Sequence, residues 1–375
     1  MLVMSHKKNA LKKPPVRKTA QKRLLHVAAG CWKDGGGLSE AVAQLILAQT
    51  RAGEHVTLAF IGGEEEHPVL SACRNAGAEI ITCPPTGPRR LYFSSELNEK
   101  LPQLVKNSDF IHIHGGWTPP LWRAAACAAR AGVPYAVSLH GTLGPLSLAK
   151  GKWRKKLCWN LFDRKMLRRA TWLHAATEIE ADWIRGQLGN NTPPIRVVPW
   201  GVNREDLTCP PQVRTQTLLF LGRRHPVKGL DLLAKAWKNV PYELKCGWKL
   251  LIIGPDEGAR FPVSCGIKIE PPIYGQAKAE RLRQAHALIL PSRSENFGFI
   301  VAEALCCGTP VLCTDGVPWM LPAGFRVAGT AEALTDGLCR LMSASDAELR
   351  KLFEPLYADV RKHCTWDTVA QQLKP

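Results

Sequence analysis

Ser292-Arg293-Ser294-Glu295-Asn296-Phe297-Gly298-Phe299-Ile300-Val301-Ala302-Glu303-Ala304-Leu305-Cys306-Cys307-Gly308-Thr309-Pro310-Val311 is the stretch from which the fold can be read. Just before it, Ala287-Leu288-Ile289-Leu290-Pro291 has the form of a buried parallel strand ended by proline. Gly298 opens a helix expected to run to about Cys307, with Gly308 at its C′ position and Pro310 just beyond. Val311-Leu312-Cys313-Thr314 is the next short strand. Glu295 therefore falls in the loop beyond a strand's carboxyl end, and Glu303 on the helix that follows. Open α/β sheets bind ligands at that edge, where helix amides hold anions. Carboxylates fixed there are suited to accept two hydrogen bonds from a sugar diol.

The same alternation extends outward in both directions. Arg23 to Ala29 reads as a first strand, followed by a Gly-rich turn, a helix from about Leu38 to Ala52 and a second strand at His55 to Phe60. Further strands are expected at Glu79 to Thr82, Phe110 to His114, Ala136 to Leu139 and Ile195 to Pro199. Helices are expected at about Pro120 to Ala131 and across much of 150–188. The pattern restarts with a strand at Thr217 to Gly222, a helix at about Leu230 to Lys238 and a strand at Lys249 to Gly254. This predicts two doubly wound, Rossmann-like α/β domains facing a central cleft. Thr208-Cys209-Pro210-Pro211 looks like the link. The expected division is a basic, disordered tail (1–23), an N-terminal acceptor-side domain (24–204) and a C-terminal nucleotide-binding domain (205–375).

Three other segments carry chemistry. Gly222-Arg223-Arg224-His225-Pro226-Val227-Lys228-Gly229 follows a strand and opens a helix. Preorganised Arg and Lys there can stabilise charge growing on a departing diphosphate. Gly30-Cys31-Trp32-Lys33-Asp34-Gly35-Gly36-Gly37 lets backbone amides approach phosphate. A dinucleotide fingerprint would end on glycine where this chain has Glu40, which counts against a nicotinamide-dependent oxidoreductase. Ser138-Leu139-His140-Gly141-Thr142 places a histidine just past a strand. His112 and His114, on the strand before, are expected to point to opposite faces, with His114 reaching the cleft mouth. Two such histidines without a third ligand make a poor zinc case.

Taken in order, these segments resemble the motifs of the retaining family-4 (group 1) glycosyltransferases of GT-B fold, over about residues 24–370. Ala-Leu-x-x-Gly-Thr-Pro-Val after Glu303, Val197 to Asn203 and Thr365-Trp366 add to the likeness, with Trp200 standing where the family more often has Asn. The stretch from His140 to Ala181 is most similar to members that build bacterial lipopolysaccharide or exopolysaccharide. The resemblance implies that Glu303 holds the ribose hydroxyls and that Glu295 contacts the donor sugar. It puts loop amides around Phe297, Gly298 and Phe299 on the sugar and diphosphate. Arg223 and Lys228 would grip the diphosphate, Gly35, Gly36 and Gly37 would reach toward it, and His140 would lie against the sugar. The catalytic candidates are thus His140, Glu295, Arg223 and Lys228. The implied reaction moves a hexose or heptose from a UDP- or GDP-sugar to a lipid-linked or core oligosaccharide, with retention and by same-face attack. No D-x-D occurs in the chain, so neither a metal nor any other cofactor is expected.

Composition sets the remaining bounds. Of a formal net charge of +18, eight positive charges sit in residues 1–23, which hold no acid. Such a chain suits anionic partners. A nucleic-acid-binding protein is the rival reading, but no recognised binding motif supports it, and no nucleic acid is expected. The thirteen cysteines show no C-x-x-C pair, which points to reduced thiols in a cytoplasmic protein. The basic N-terminal residues contain no apolar h-region and no run in the sequence is long and apolar enough to span a bilayer, so neither a secretory signal nor a membrane span is expected. Residues 150–169 hold nine Lys or Arg against one acid, Asp163, with Trp153, Leu157, Trp159 and Phe162 among them. They fit the anionic inner face of the plasma membrane or a phosphorylated acceptor, or else a cationic helix partly packed on the N-terminal domain.

Overall fold

The computed structural model describes residues 21–32, 35–62, 66–87, 92–203, 214–263 and 266–375. Most of the basic tail, the 204/205 boundary and the Thr208–Pro211 link lie outside the described residues.

The N-terminal half runs β1 (Arg23–Ala28), α1 (Gly36–Arg51), β2 (His55–Ile61), α2 (Val69–Asn75), β3 (Glu79–Cys83), α3 (Ser95–Lys106), β4 (Phe110–His114), α4 (Pro119–Ala131) and β5 (Tyr135–Ser138). It continues through α5 (Pro145–Ala149), α6 (Lys152–Cys158), a π-helical turn (Trp159–Asp163), α7 (Arg164–Arg168), β6 (Trp172–Ala175), α8 (Glu178–Leu188) and β7 (Ile195–Val197). The C-terminal half runs β8 (Thr215–Leu221), α9 (Leu230–Asn239), α10 (Tyr242–Lys245), β9 (Lys249–Ile253), β10 (Ile267–Glu270), α11 (Gly275–Gln284), β11 (Ala285–Leu290), α12 (Phe299–Cys306), β12 (Val311–Thr314), β13 (Arg326–Val327), α13 (Ala331–Ser343), α14 (Asp346–His363) and α15 (Trp366–Gln372).

Two parallel sheets result, of order β3-β2-β1-β4-β5-β6-β7 and β10-β9-β8-β11-β12-β13. The expected two doubly wound sheets are thus observed. The inner strands are near-continuous apolar runs, as sheets covered on both faces require; β11, Ala-His-Ala-Leu-Ile-Leu, is buried throughout. The strand order reverses between β1 and β4 in one sheet and between β8 and β11 in the other. Those are the crevices where such sheets bind ligands.

Several expectations change. Helix was expected across much of 150–188, yet Trp172–Ala175 is a fully buried strand paired with both β5 and β7. Sheet pairing overrides local propensity there. α1 begins at Gly36, two residues earlier than expected, because the glycines themselves take up the first turn. The chain end returns to the first half: α15 packs on α1, and Trp366 packs against Gly201 and Trp200.

Candidate functional site

The loops leaving β8 and β11 meet at the second switch point. Gly229 ends the β8 loop at φ +69°, and a Cβ there would lie 2.0 Å from the Pro291 carbonyl oxygen, so only glycine lets the two loops close up. That closeness brings Lys228 onto Glu295, with Nζ donating to Oε1 over 2.6 Å. The Ser292 hydroxyl donates to the same oxygen, also over 2.6 Å. Both partners of the ion pair are largely buried. Eight residues on, Glu303 accepts from Lys278 of α11 over 2.7 Å and is itself 8% exposed. It is therefore no solvated helical carboxylate. Sequence reasoning missed Lys278, because no spacing links residue 278 to the 295–303 stretch.

Arg223 is held differently. Its guanidinium pairs with Glu257 at 3.0 Å but stays 49% exposed. Exposed pairs contribute about 0–1 kcal/mol, so this one yields readily to a ligand. Gly298 caps α12 at φ +79°, and no described residue accepts from the amides of Phe297, Gly298 or Phe299. The Phe297 ring itself points inward, packed on Phe299 and Trp319, while its carbonyl accepts from the Trp319 indole.

The N-terminal half closes over these groups. The Arg223 guanidinium lies 3.9 Å from where a Gly36 Cβ would be, and the Phe299 ring lies 3.1 Å from the corresponding point on Gly37. Gly35 is the N-cap of α1. The structure thus brings together the Gly35–Gly37 turn, Arg223, Lys228, Glu295 and Gly298 around one cleft. His140 stands on the facing wall at φ +52°, a conformation uncommon outside glycine and worth a functional question. Its ring stacks on Trp200, centroids 5.0 Å apart and 5° from parallel. Buried Glu180 fixes the turn: Gly141 donates to Oε1 at 2.6 Å and Ala176 to Oε2 at 2.7 Å. Burial raises the Glu180 carboxyl above its ordinary range, and these amide bonds counter it. Gly141 in turn abuts Asn296. Glu180, too, was missed; the Thr177 cap before it was the available signal.

His112 and His114 do not point to opposite faces. Residues two apart on a strand share a face, and their rings stack at 4.4 Å. His26, on β1 in register with His112, joins them. The three offer ring nitrogens within 4.8 Å of one another, so a third histidine does exist, the one such grouping among the described residues. The residues fit a metal poorly. His26 Nδ1 and His114 Nε2 are 2.9 Å apart, a hydrogen-bond separation shorter than the roughly 3.3 Å between two nitrogens on a tetrahedral zinc. Beside them, His112 Nε2 contacts the Ser138 hydroxyl at 2.7 Å, Ser138 contacts His174 Nδ1 at 2.9 Å, and His174 Nε2 meets the Val198 carbonyl at 2.8 Å. A carbonyl only accepts, so every proton in that chain points toward Val198. Burial lowers all these histidines: His26 and His174 to about 4, His140 to about 3, and His112 and His114 well below the usual value.

The basic segment has two sides. Asp163 is buried and accepts from the Trp117 amide at 2.9 Å, with burial pushing its carboxyl up to about 6. Met166 and Leu167 are buried with it. Trp153, Leu157, Leu161 and Phe162 are exposed, Trp153 by 74%. Next to this segment a cavity of about 280 Å³ opens between the halves, lined by Leu146, Ile179 and Trp183 on one side and Arg293, Glu295 and Asp315 on the other. No helix among the described residues is long and apolar enough to cross a membrane.

Comparison with known proteins agrees with this fold. A family model for a glycosyl transferase 4-like domain matches residues 36–201, and one for glycosyl transferases group 1 matches 215–344. The chain is 27% identical to a D-inositol 3-phosphate glycosyltransferase of Actinosynnema mirum, covering 80% of this chain and 84% of that one. It is 27% identical to a phosphatidyl-myo-inositol mannosyltransferase of Mycobacterium leprae, covering 90% and 91%. The fold is similar to that of Anabaena HepE, solved in complex with UDP and glucose, with TM-score 0.71, 14% identity, and 94% and 98% of the two chains covered.

Proposed function

Because this chain belongs to the group 1 glycosyltransferases and is an enzyme of that family, we propose that it moves a hexose or heptose from a UDP- or GDP-sugar to a lipid-linked or core oligosaccharide acceptor. The product would serve bacterial cell-surface polysaccharide. One observation carries the reading: two carboxylates, Glu295 and Glu303, are each neutralised by a lysine at a sheet switch point, under an exposed Arg223 and an open helix N-terminus. That set matches a sugar diol, a ribose diol and a diphosphate in line. The family match sets aside the nucleic-acid-binding and nicotinamide-dependent alternatives.

In the proposed reaction Glu303 holds the ribose and Glu295 the sugar. As the bond from sugar C1 to the phosphate oxygen breaks, charge grows on the diphosphate. Arg223, Lys228 and the amides at Gly298 stabilise it, which is the largest single catalytic contribution in sites of this kind. The acceptor hydroxyl attacks from the same face, forms the new glycosidic bond and passes its proton to the departing phosphate oxygen. His140 lies against the sugar. The acceptor approaches through the cavity beside Trp183, whose indole offers a flat apolar wall to a sugar ring. The exposed apolar and cationic side of α6 would rest on the inner face of the plasma membrane, which suits a lipid-linked acceptor. The Mycobacterium leprae relative is named for phosphatidyl-myo-inositol, an anionic lipid.

Thermal-shift measurements with UDP, GDP, ADP and their common sugar conjugates test the donor assignment. A bound nucleotide raises the melting temperature by mass action; no shift with any of them at millimolar concentration contradicts it.

A further inference from the structure

Arg223 and Lys228, the two cations assigned to the diphosphate, lie on one loop, yet different neighbours hold them. The Arg223 end is tied to the loop after β9. The Gly222 amide donates to the Ile253 carbonyl at 3.0 Å and the Arg224 amide to the Pro255 carbonyl at 2.8 Å. Arg224 Nε donates to the Gly254 carbonyl at 3.1 Å, and Arg223 pairs with Glu257. The Lys228 end is tied instead to the loop after β11, by Arg293. The Arg293 amide donates to the Val227 carbonyl at 2.8 Å, and its Nη1 donates to the Pro226 carbonyl at 2.7 Å. Those are the two carbonyls directly before Lys228.

Pro226–Lys228 is a single 3-10 turn, a form with poorer hydrogen-bond geometry than an α-helix. Its own bonds run from the Lys228 amide to the His225 carbonyl at 2.9 Å and from the Gly229 amide to the Pro226 carbonyl at 3.3 Å. The Arg293 guanidinium beside it is fixed in turn by Asp231, in the first turn of α9. Nη1 donates to Oδ1 at 2.9 Å and Nη2 to Oδ2 at 2.7 Å. A planar fork meeting both carboxylate oxygens has a defined orientation, which a lysine ammonium on a flexible stem does not reproduce. Both side chains remain well exposed, so the pair adds little to stability. What the fork supplies is a fixed place for Nη1 against the Pro226 carbonyl.

We propose that Arg293, anchored by Asp231, is a positioning residue for Lys228: it holds the turn so that the Lys228 amine stands where charge develops on the departing diphosphate. A charge-stabilising group contributes most when it is already in place as the bond breaks. Arg223 is braced from the other side of the loop and lies outside the reach of this device. Changing Arg293 therefore weakens the contribution of Lys228 and leaves that of Arg223 intact. The brace stands on the geometry alone; its use in catalysis rests on the donor reading above.

Two measurements separate these claims. Amide hydrogen exchange of the full-length, ligand-free protein reports the brace. In Arg293→Lys, and in Asp231→Asn, the amides of Lys228 and Gly229 should exchange about three- to tenfold faster, the worth of one hydrogen bond. Those of Gly222 and Arg224 should keep their wild-type rates. Unchanged exchange at Lys228 and Gly229 in both folded variants overturns the brace. Turnover is read as hydrolysis of radiolabelled UDP-glucose, UDP-galactose or GDP-mannose. Arg293 also lines the cavity assigned to the acceptor, and with water as acceptor that wall has no part. Arg293→Lys should lower the rate at saturating donor about tenfold, as misplacing a catalytic group does. In a Lys228→Ala background the same change should cost less than about twofold, and in an Arg223→Ala background the full tenfold, because only groups that act together fail to add. Unchanged turnover in Arg293→Lys overturns the positioning role. So does an equal loss in both backgrounds, which marks a general effect on the loop. A wild type that neither binds nor hydrolyses any of these donors counts against the donor reading and the catalytic use together, while exchange still decides the brace.

Discussion

Lys228 and Glu295 are 67 residues apart in the chain, yet their side chains meet at 2.6 Å, largely out of water. Each group assigned to the donor is thus neutralised by the other before a donor arrives. In the proposed function, a bound diphosphate would draw Lys228 toward phosphate, and the loss would be offset as Glu295 turned to a sugar hydroxyl. The pair keeps two charges ordered in the cleft, where an isolated buried charge would be costly.

From this pair follows the first prediction. Lys228→Ala should lower turnover at saturating donor by roughly two orders of magnitude, the usual result of removing one charge-stabilising donor. Arg223→Ala should do likewise. Near-normal turnover in both variants would contradict the role.

The second concerns the ribose. Glu303→Ala should weaken nucleotide binding by about 1–3 kcal/mol, as for a charged hydrogen bond, measured by calorimetric titration. Lys278→Ala should weaken it as well, since Glu303 is then left buried without its cation. Unchanged affinity in the Glu303 variant removes it from the site.

Metal independence is the third. The chain carries no D-x-D, and in the proposed site a diphosphate would have Arg223, Lys228 and a helix N-terminus to meet its charge. Activity should therefore survive EDTA. Complete loss, restored by Mg²⁺ or Mn²⁺, counts against the mechanism.

Acid should destabilise the N-terminal half. His26 and His174 titrate near 4 and His140 near 3 when folded, against about 6.5 unfolded. Between those values the unfolded chain binds more protons, so stability falls as pH drops from 6.5 toward 4, by on the order of 1.4 kcal/mol per pKa unit per site. Asp163, raised to about 6, and Glu180, also raised, act in the opposite sense: their contribution is present at low pH and lost as pH rises. Five depressed histidines outweigh two raised carboxyls. Denaturant midpoints followed from pH 7.5 to 4.5 should decline; a flat or rising profile contradicts the buried neutral histidines.

The fifth prediction concerns the basic segment. Lys155 is not free for lipid, because its amine donates to the Ser147 carbonyl and lies over the Trp117 ring. Lys152, Arg154 and Lys156 surround the exposed Trp153, Leu157 and Leu161. Replacing those three cations by Gln should reduce flotation with phosphatidylglycerol vesicles at low salt, each contributing about 1 kcal/mol at most, and high salt should release the wild type. Equal flotation of wild type and variant under both conditions would show the segment to be a packed surface.

The sequence by itself determined the two-sheet architecture, because strand and helix periods and glycine caps are local properties of the chain. It also determined which loops carry charge past strand ends, and hence Arg223, Lys228 and Glu295 as candidates, with Glu303 on the helix that follows the last of them. The two-residue strand period already put His112 and His114 on one face, against the reading made above. Tertiary structure alone decided which groups face one another. That Lys278 reaches Glu303, that Glu180 clamps the turn after His140 and that His26, His114 and His140 fall in one line depend on strand register and helix packing between segments far apart in the chain. A single sequence records the identities of those residues, but the distances between them arise only when the sheets assemble and α1 is laid across them.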